Sequence, residues 1–247
     1  MFRTPVIGGS PEPTMALAPR VQDVVLEIIS PEDGKIRSRT VVSRSRARGT
    51  GKYPSWKMGR MVQWESPNEL NALRLLDTDP EVKAFHEQPL AIRFTVDGET
   101  HLHYPDLLVE WRNGCRELWE IKPATEAAHP QTFVRTQILD SALPRAGYTY
   151  RMVVAETLKR EPRLSNALTL LKHGRKPISD ADRERTRRLL LATPAIRWAS
   201  AMNGDLGLRG RAIVCRLALE GVLSFDREQQ LIATTLFAST TSSSPSV

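Results

Sequence analysis

Residues 104–123 read YPDLLVEWRNGCRELWEIKP and contain the strongest strand pattern of the chain. Two runs rich in β-forming residues, 104–111 and 116–121, flank a polar segment that contains Asn113 and Gly114. An Asn-Gly pair between two such runs is typical of a β-hairpin. The stretch therefore predicts two neighbouring antiparallel strands.

Three functional groups are expected to converge on one face of this hairpin. Alternate side chains of a strand share a face, so Glu120 and Lys122 point to the same side. If the loop is residues 113–115, Asp106 pairs opposite Lys122 on that side. A two-residue loop would turn Asp106 to the other face, so this prediction depends on the loop length.

A helix with a strong N-terminal signal is predicted upstream of the hairpin. Ser66 is a favourable N-cap, a proline follows it, and Glu69 lies three residues after the cap. Glu69 shares a helical face with Leu73 and Leu76, so its side chain is expected to point toward the strands. Glu69 is therefore the preferred acidic group of this helix, and Glu65, which precedes the cap, is the alternative.

The surrounding segments predict a compact mixed α/β core. An extended run lies at 90–96, a helix at 131–142 and a further strand at 148–154. Upstream, residues 21–30 and 36–43 have the pattern of another β-hairpin. The predicted division is a disordered lead at 1–20, a β-hairpin and basic arm at 21–60, the core at 61–160, a helical domain at 161–237 and a disordered tail at 238–247.

The basic arm is the most uneven part of the charge distribution. The chain has a formal net charge of +7, and residues 35–60 contain nine basic residues and no acidic ones. One interpretation is a segment that follows a DNA strand, with cations on phosphates and with Tyr53 and Trp56 free to stack on bases. The other interpretation is a solvated linker. The cations predicted to bind DNA are Arg44, Arg46, Arg48, Lys52, Lys57 and Arg60.

The region from residue 161 is predicted to be mainly helical and to end in a short hairpin at 222–237. A basic helix at 208–221 followed by a hairpin indicates a winged-helix-like module. Arginines on this helix are candidates for contact with phosphates or bases: Arg209, Arg211 and Arg216. Arginines on the helix at 179–192 are expected to form a solvated face: Arg183, Arg185, Arg187 and Arg188.

Composition excludes several classes of protein. At 40% hydrophobic and 26% charged residues, the chain is expected to be globular and neither fibrous nor largely disordered. No apolar run reaches the roughly 18 residues of a membrane span, and the start lacks a signal-peptide pattern, so a cytoplasmic protein is expected. Cys115 and Cys215 fit no metal or disulfide spacing and are expected to be packing or surface thiols. A pI near 9.7 makes nucleic acid the leading partner.

The converging acidic groups predict a metal site that hydrolyses phosphodiesters. Neighbouring carboxylates stay ionised when a cation lies between them, and oxygen ligands favour Mg²⁺, for which Mn²⁺ can substitute. A lysine beside them can orient the attacking water or stabilise charge on the phosphate. The alternative is that these residues have only structural roles. In that case Asp106 ends a strand, Glu120 and Lys122 form a surface ion pair, and Glu69 caps the helix. The predicted catalytic residues are Glu69, Asp106, Glu120 and Lys122, with the three carboxylates as metal ligands.

The order of these residues resembles the PD-(D/E)xK nucleases, whose fold is a restriction-endonuclease-like mixed sheet with flanking helices. Further segments make residues 35–155 similar to the TnsA endonuclease of heteromeric transposases, and beyond them only the layout is similar. These segments are KYPSW at 52–56, ESPNE at 65–69, QP at 88–89, YPDLLV at 104–109 and LWEIKP at 118–123.

The resemblance implies a specific activity and specific partners. TnsA-like subunits cut the 5′ strand at each transposon end, a TnsB-like transposase cuts and joins the 3′ strand, and a TnsC-like ATPase regulates both. The resemblance also implies that the C-terminal domain contacts this ATPase. Some members carry Gln where this chain has Glu120, so this chain has the full acidic set.

Two other functions remain open at the level of sequence. One is a stand-alone PD-(D/E)xK nuclease of phage defence or repair, and the other is a non-catalytic DNA-binding adaptor. Gln88, before a proline, is a candidate either for lining the site or for forming a turn. The histidines near the strands are expected to be surface or packing residues: His86, His101 and His103.

Overall fold

The described residues form mainly strands before residue 123 and mainly helices after it. The computed structural model describes residues 25–31, 38, 49–96 and 98–240. Its strands are β1 (Val25–Ile29), β2 (Gly51–Ser55), β3 (Arg60–Trp64), β4 (Val82–Glu87), β5 (Ala91–Val96), β6 (Glu99–His103), β7 (Leu107–Trp111), β8 (Arg116–Lys122), β9 (Thr149–Val154), β10 (Ala195–Arg197), β11 (Leu223–Ser224) and β12 (Leu236–Ser239). Its α-helices are α1 (Pro67–Thr78), α2 (Ala124–Ala127), α3 (Pro130–Ala142), α4 (Arg163–Gly174), α5 (Asp180–Ala192), α6 (Trp198–Asn203) and α7 (Gly210–Leu219). Two 3-10 helices, Leu143–Ala146 and Ala155–Lys159, flank β9.

The central sheet contains the predicted hairpin. Its strand order is β4-β7-β8-β9, with β8 and β9 parallel and the other pairs antiparallel. A parallel pair needs a crossover, which α2 and α3 supply between β8 and β9. This mixed α/β arrangement agrees with the prediction and is compatible with a nuclease fold.

A second sheet has the order β1-β5-β6. Apolar side chains of β5 form a cluster with side chains of α3 and of the central strands β7, β8 and β9. β1 pairs antiparallel with β5, from Val25 opposite Thr95 to Ile29 opposite Ala91. The predicted hairpin partner of this strand, 36–43, lies outside the described residues except for Ser38. Arg44, Arg46 and Arg48 of the basic arm also lie outside the described residues.

The β2–β3 hairpin is anchored to α1 by Asp77. This carboxylate is fully buried and accepts hydrogen bonds from Tyr53 Oη at 2.7 Å and Ser55 Oγ at 2.6 Å. It also accepts the backbone N–H groups of Trp56 at 3.3 Å and Lys57 at 3.2 Å. A buried charge needs such donors, so residues 51–60 pack as part of the core. The predicted boundary at residue 60 therefore does not coincide with a break in the packing.

The C-terminal region follows the order α4, α5, β10, α6, α7, β11 and β12, and its small sheet has the order β10-β12-β11. The predicted helices at 179–192 and 208–221 correspond to α5 and α7, and α4 and α6 agree with the mainly helical character predicted for this region. Close packing of α4 on α7 requires Gly174, because a Cβ there would lie 2.8 Å from the carbonyl carbon of Cys215. Both cysteines are free, and Cys115 is exposed whereas Cys215 is buried, as predicted.

The C-terminal region contacts the β2–β3 hairpin and α1 through arginines. The Arg216 guanidinium lies 4.5 Å from the centre of the Trp56 ring, and Arg227 donates to the carbonyl oxygen of Thr78 at 2.8 Å. Both contacts fall on the β2–β3 hairpin or on the C-terminal end of α1. Within the described part of the chain, no helix has the length and apolar character required to cross a membrane.

Candidate functional site

Asp106 and Glu120 lie side by side on the central sheet. Asp106 immediately precedes β7, in which Leu107 pairs with Trp119, and the Asp106 N–H donates to the Trp119 carbonyl oxygen at 2.9 Å, so Asp106 lies next to the segment of β8 that carries Glu120. The hairpin loop is residues 112–114, because the Trp111 N–H donates to the Cys115 carbonyl at 2.9 Å. The loop predicted at 113–115 would have placed Asp106 opposite Lys122. The register of the two strands therefore differs by two residues from that expectation, and Asp106 does not pair opposite Lys122, although the charges of Glu120 and Lys122 both act on its carboxylate.

Asp106 is surrounded by negative charge. Its Oδ2 accepts the backbone N–H of Ile121 at 2.7 Å, which orients the carboxylate toward β8. Burial, together with the charges of Glu120 and Glu69, raises the pKa of Asp106 well above its ordinary value. Such accumulated negative charge is relieved by a bound cation and is typical of functional sites.

Glu120 is buried among cations, with only 4% of its surface exposed. Its Oε1 lies 3.2 Å from Lys122 Nζ and 3.4 Å from the Arg135 guanidinium of α3. Its Oε2 lies 3.4 Å from His103 Nε2 but has no hydrogen-bond partner among the described residues. One oxygen of Glu120 is therefore neutralised by two cations, and the other is left with weak contacts.

Three side chains around Glu120 were not predicted as site residues: Arg135, His103 and Tyr150. His103 is buried, and its Nε2 lies 3.0 Å from the Tyr150 hydroxyl. Burial, Arg135 and Lys122 lower the pKa of His103 to about 3, so this histidine is neutral near pH 7. The other two histidines fit their predicted packing or surface roles, since His86 is half-buried and the exposed His101 stacks on Phe94.

Lys122 completes the predicted group on β8. Burial alone would lower the pKa of Lys122, but the carboxylates of Glu120 and Asp106 raise it above its ordinary value. The side chain is one-third exposed, which leaves the ammonium group accessible from solvent. Lys122 is therefore a charged hydrogen-bond donor at the edge of the carboxylate pair.

Glu69 caps the helix and also faces the site. Its N–H donates to Ser66 Oγ at 3.2 Å, as predicted for an N-cap at Ser66, while its Oε1 accepts from Ser66 Oγ at 2.9 Å and its Oε2 from the Glu65 N–H at 2.8 Å. Burial raises the pKa of Glu69, and its charge contributes to the raised pKa of Asp106. Glu65 instead accepts a hydrogen bond from the Gln88 amide. The structure thus brings Glu69, rather than Glu65, into electrostatic contact with Asp106.

The donor chemistry of Asp106 and Glu120 fits a divalent cation. Both supply oxygen ligands, the pKa of Asp106 is raised by burial and by its negative neighbours, and the buried Oε2 of Glu120 lacks a hydrogen-bond partner among the described residues. No group of three His, Cys, Asp or Glu side chains within the described ranges is already arranged to hold a metal ion. Both Glu69 oxygens are bound at the start of α1, so this carboxylate would have to release part of its cap to complete a three-ligand set.

The described cations of the basic arm differ in their surroundings. Lys57 Nζ binds the carbonyl oxygens of Val82, at 2.6 Å, and Asp79, and burial lowers its pKa to about 8. The Arg60 guanidinium makes a two-point ion pair with buried Glu87, at 2.9 and 2.6 Å. Because Lys57 and Arg60 are committed to these contacts, Lys52 is the exposed cation of the three.

The arginines predicted on the C-terminal helix differ in their exposure to solvent. Arg216 stacks on Trp56 and pairs with Glu220 at 2.5 Å, whereas Arg209 and Arg211 are exposed. Most other residues of α7 are buried. Three arginines of α5 pair with acidic residues of the same helix, as expected for a solvated face: Arg185, Arg187 and Arg188. Arg183 departs from this expectation, because it is half-buried and makes a two-point ion pair with Glu220 at the end of α7.

Comparison with known proteins identifies one related family. A family model described as TnsA-like endonuclease N terminal matches residues 79–146, which include Asp106, Glu120 and Lys122 but not Glu69. No match to a curated protein was found. The family match supports a TnsA-like nuclease domain in this part of the chain.

Proposed function

We propose that the protein is a metal-dependent DNA endonuclease subunit of a cut-and-paste transposase, which cleaves the 5′ strands at transposon ends. The observation that carries the proposal is the placement of Asp106, Glu120 and Lys122 on adjoining strands, within the segment similar to TnsA-like endonucleases. A stand-alone nuclease could share these strands, so dependence on partner proteins separates the two functions.

The proposed chemistry assigns a role to each side chain of the site. Asp106 and Glu120, with Glu69 on α1, would hold Mg²⁺ or Mn²⁺ through their oxygens. When bound, Mg²⁺ supplies Lewis acidity toward the phosphate and lowers the pKa of the attacking water. Lys122 Nζ, 3.2 Å from Glu120, is placed to hydrogen-bond that water or a phosphate oxygen.

A winged-helix-like C-terminal domain that contacts a partner protein belongs to the same proposal. The order α5, β10, α6, α7, β11, β12 supports this fold. Most of α7 is buried and Arg216 is held by Trp56 and Glu220, so Arg211 and the preceding Arg209 are the exposed arginines that this helix offers to a DNA groove. The family resemblance makes a TnsC-like ATPase the preferred partner of this domain, with a TnsB-like transposase as the partner in cleavage.

The proposal is tested by incubating the purified chain with Mg²⁺ and supercoiled plasmid that carries the transposon ends. We expect weak or no cutting by the chain alone and specific 5′-strand nicks when the proteins encoded by neighbouring genes are added. Strong cutting of any DNA by the chain alone would indicate a stand-alone nuclease instead.

Neutralising Arg44, Arg46 and Arg48 together is expected to weaken DNA binding and its dependence on salt. The described residues on either side of this arm in sequence contact elements of the site: Ser38 donates to the carbonyl oxygen of Gln88, and Gly51 pairs with Trp64, which shortly precedes Glu69. Each lost phosphate contact reduces the slope of log K against log salt by roughly 0.9, so three lost contacts reduce it by about 2.7.

The matched control neutralises three exposed arginines of α5: Arg185, Arg187 and Arg188. It removes the same charge from a surface assigned no DNA contact, so its salt slope should stay near that of the wild type. Equal slopes for the wild type and the arm variant, measured by fluorescence anisotropy, would show that the arm is only a linker.

A further inference from the structure

Gln88 adopts a backbone conformation that its sequence position disfavours. Its φ is 43°, and no other non-glycine residue has a positive φ within the described ranges 25–31, 38, 49–96 and 98–240. Side chains disfavour the left-handed region, and a residue before proline is further restricted to extended conformations. Gln88 precedes Pro89 and is therefore strained on both grounds. Such strain persists only where surrounding contacts enforce it, and it clusters at functional sites.

Two main-chain hydrogen bonds hold Gln88 in this conformation. Its N–H donates to the carbonyl oxygen of Asp106 at 2.9 Å, one residue beyond the ladder between β4 and β7. Its carbonyl oxygen accepts the N–H of Ser38 at 3.1 Å. The backbone of Gln88 is therefore joined directly to the residue that carries the central carboxylate of the site.

The side chain of Gln88 reaches the other acidic group of the site. Its amide Nε2 donates to Glu65 Oε1, and the N–H of Glu65 donates to Glu69 Oε2 at 2.8 Å. Its amide Oε1 is buried and has no hydrogen-bond partner among the described residues. A continuous set of hydrogen bonds thus runs from Asp106 through Gln88 and Glu65 to Glu69.

We propose that Gln88 is a positioning residue that sets the spacing between the Asp106 and Glu69 carboxylates. Glycine would adopt the same backbone without strain, so the strained side chain requires a compensating role, which the contact with Glu65 supplies. This inference rests on the proposed function, because the spacing matters when both carboxylates bind one cation. Residues that orient metal ligands in this way typically change metal affinity about ten- to a hundredfold when they are lost.

Two substitutions separate positioning from a purely structural role. Gln88→Met keeps the side-chain length and the strained backbone but removes the amide, whereas Gln88→Gly removes the amide and also the strain. We expect Gln88→Gly to unfold at a higher temperature than Gln88→Met. Both variants should bind Mn²⁺ about tenfold or more weakly than the wild type in calorimetric titrations of the metal alone, which require no DNA cleavage.

The outcomes are distinguishable with Asp106→Asn as the reference. If both variants lose Mn²⁺ affinity although their stabilities differ, Gln88 positions the site. If affinity instead follows stability, so that Gln88→Gly binds like the wild type, the proposal is overturned while the loss of binding in Asp106→Asn upholds the metal site. If Asp106→Asn binds Mn²⁺ like the wild type, the proposed function and the role of Gln88 both fail. Should Gln88→Met not fold, Gln88→Gly alone decides the question.

Discussion

Asp106→Asn is expected to abolish cleavage of the 5′ strand in a reaction reconstituted with the partner proteins. The substitution keeps the size of the side chain but replaces a charged ligand by a neutral amide. Loss of roughly 4 kcal/mol of transition-state stabilisation corresponds to about a thousandfold slower cleavage. The rate is measured from the appearance of 5′ nicks in supercoiled DNA, and co-purification should show unchanged association with the partners.

The matched control is Asp140→Asn on α3, which makes the same chemical change at an exposed position. We expect it to cut at the wild-type rate. Undiminished cutting by Asp106→Asn would show that this carboxylate is not required for the reaction and would contradict the assignment of the site.

The same substitution should change how stability depends on pH in the metal-free protein. Burial, Glu120 and Glu69 raise the pKa of Asp106 in the folded state, so the folded state binds more protons than the unfolded state. The wild type therefore loses stability as the pH rises from the ordinary Asp pKa through the raised folded value. Asp106→Asn should lack this loss, so its free energy of unfolding at pH 7, measured in urea, should exceed that of the wild type. If both proteins show the same dependence of unfolding free energy on pH, the negative charges around Asp106 do not raise its pKa.

Asp77→Ala is expected to destabilise the protein by roughly 3–5 kcal/mol, because it leaves buried donors unsatisfied. The hydroxyls of Tyr53 and Ser55 and the backbone N–H groups of Trp56 and Lys57 all donate to this carboxylate. Since the β2–β3 hairpin packs on α1 through these bonds, its loss also removes support from the helix that carries Glu69.

Variants that remove individual donors to Asp77 separate the loss of these hydrogen bonds from general damage to the core. Tyr53→Phe removes a single donor to Asp77 and should cost about 1 kcal/mol in urea denaturation. Ser55→Ala also removes the acceptor of the Met58 N–H and should cost about 2 kcal/mol. An Asp77→Ala variant within 1 kcal/mol of the wild type would mean that the hairpin is held mainly by its apolar contacts.

The local parts of the site could be predicted from the sequence. Strand periodicity places Glu120 and Lys122 on one face, and the capping signal at Ser66 correctly predicts the start of α1 and the position of Glu69. For Asp106 the sequence left two faces open, depending on the loop length, and the pairing opposite Lys122 expected for a loop at 113–115 does not occur, because the loop is residues 112–114.

The tertiary parts of the site could not be predicted in this way. Arg135 comes from a helix and Tyr150 from a parallel strand, and no local pattern indicates that either meets Glu120. In the basic arm, Tyr53 was interpreted as available for stacking on bases, but only 4% of its surface is exposed. Its hydrogen bond to Asp77 links residues far apart in sequence, which composition and charge cannot reveal.

The proposed site requires that Asp106 and Glu120 share one divalent cation. Crystals grown with Mn²⁺ test it directly, because anomalous scattering locates this metal independently of its surroundings. We predict a peak between the two carboxylates, within about 2.5 Å of an oxygen of each, and no such peak in Asp106→Asn crystals. A structure at saturating Mn²⁺ in which Glu120 still pairs with Lys122 and Arg135, and no metal lies beside Asp106, would contradict the account.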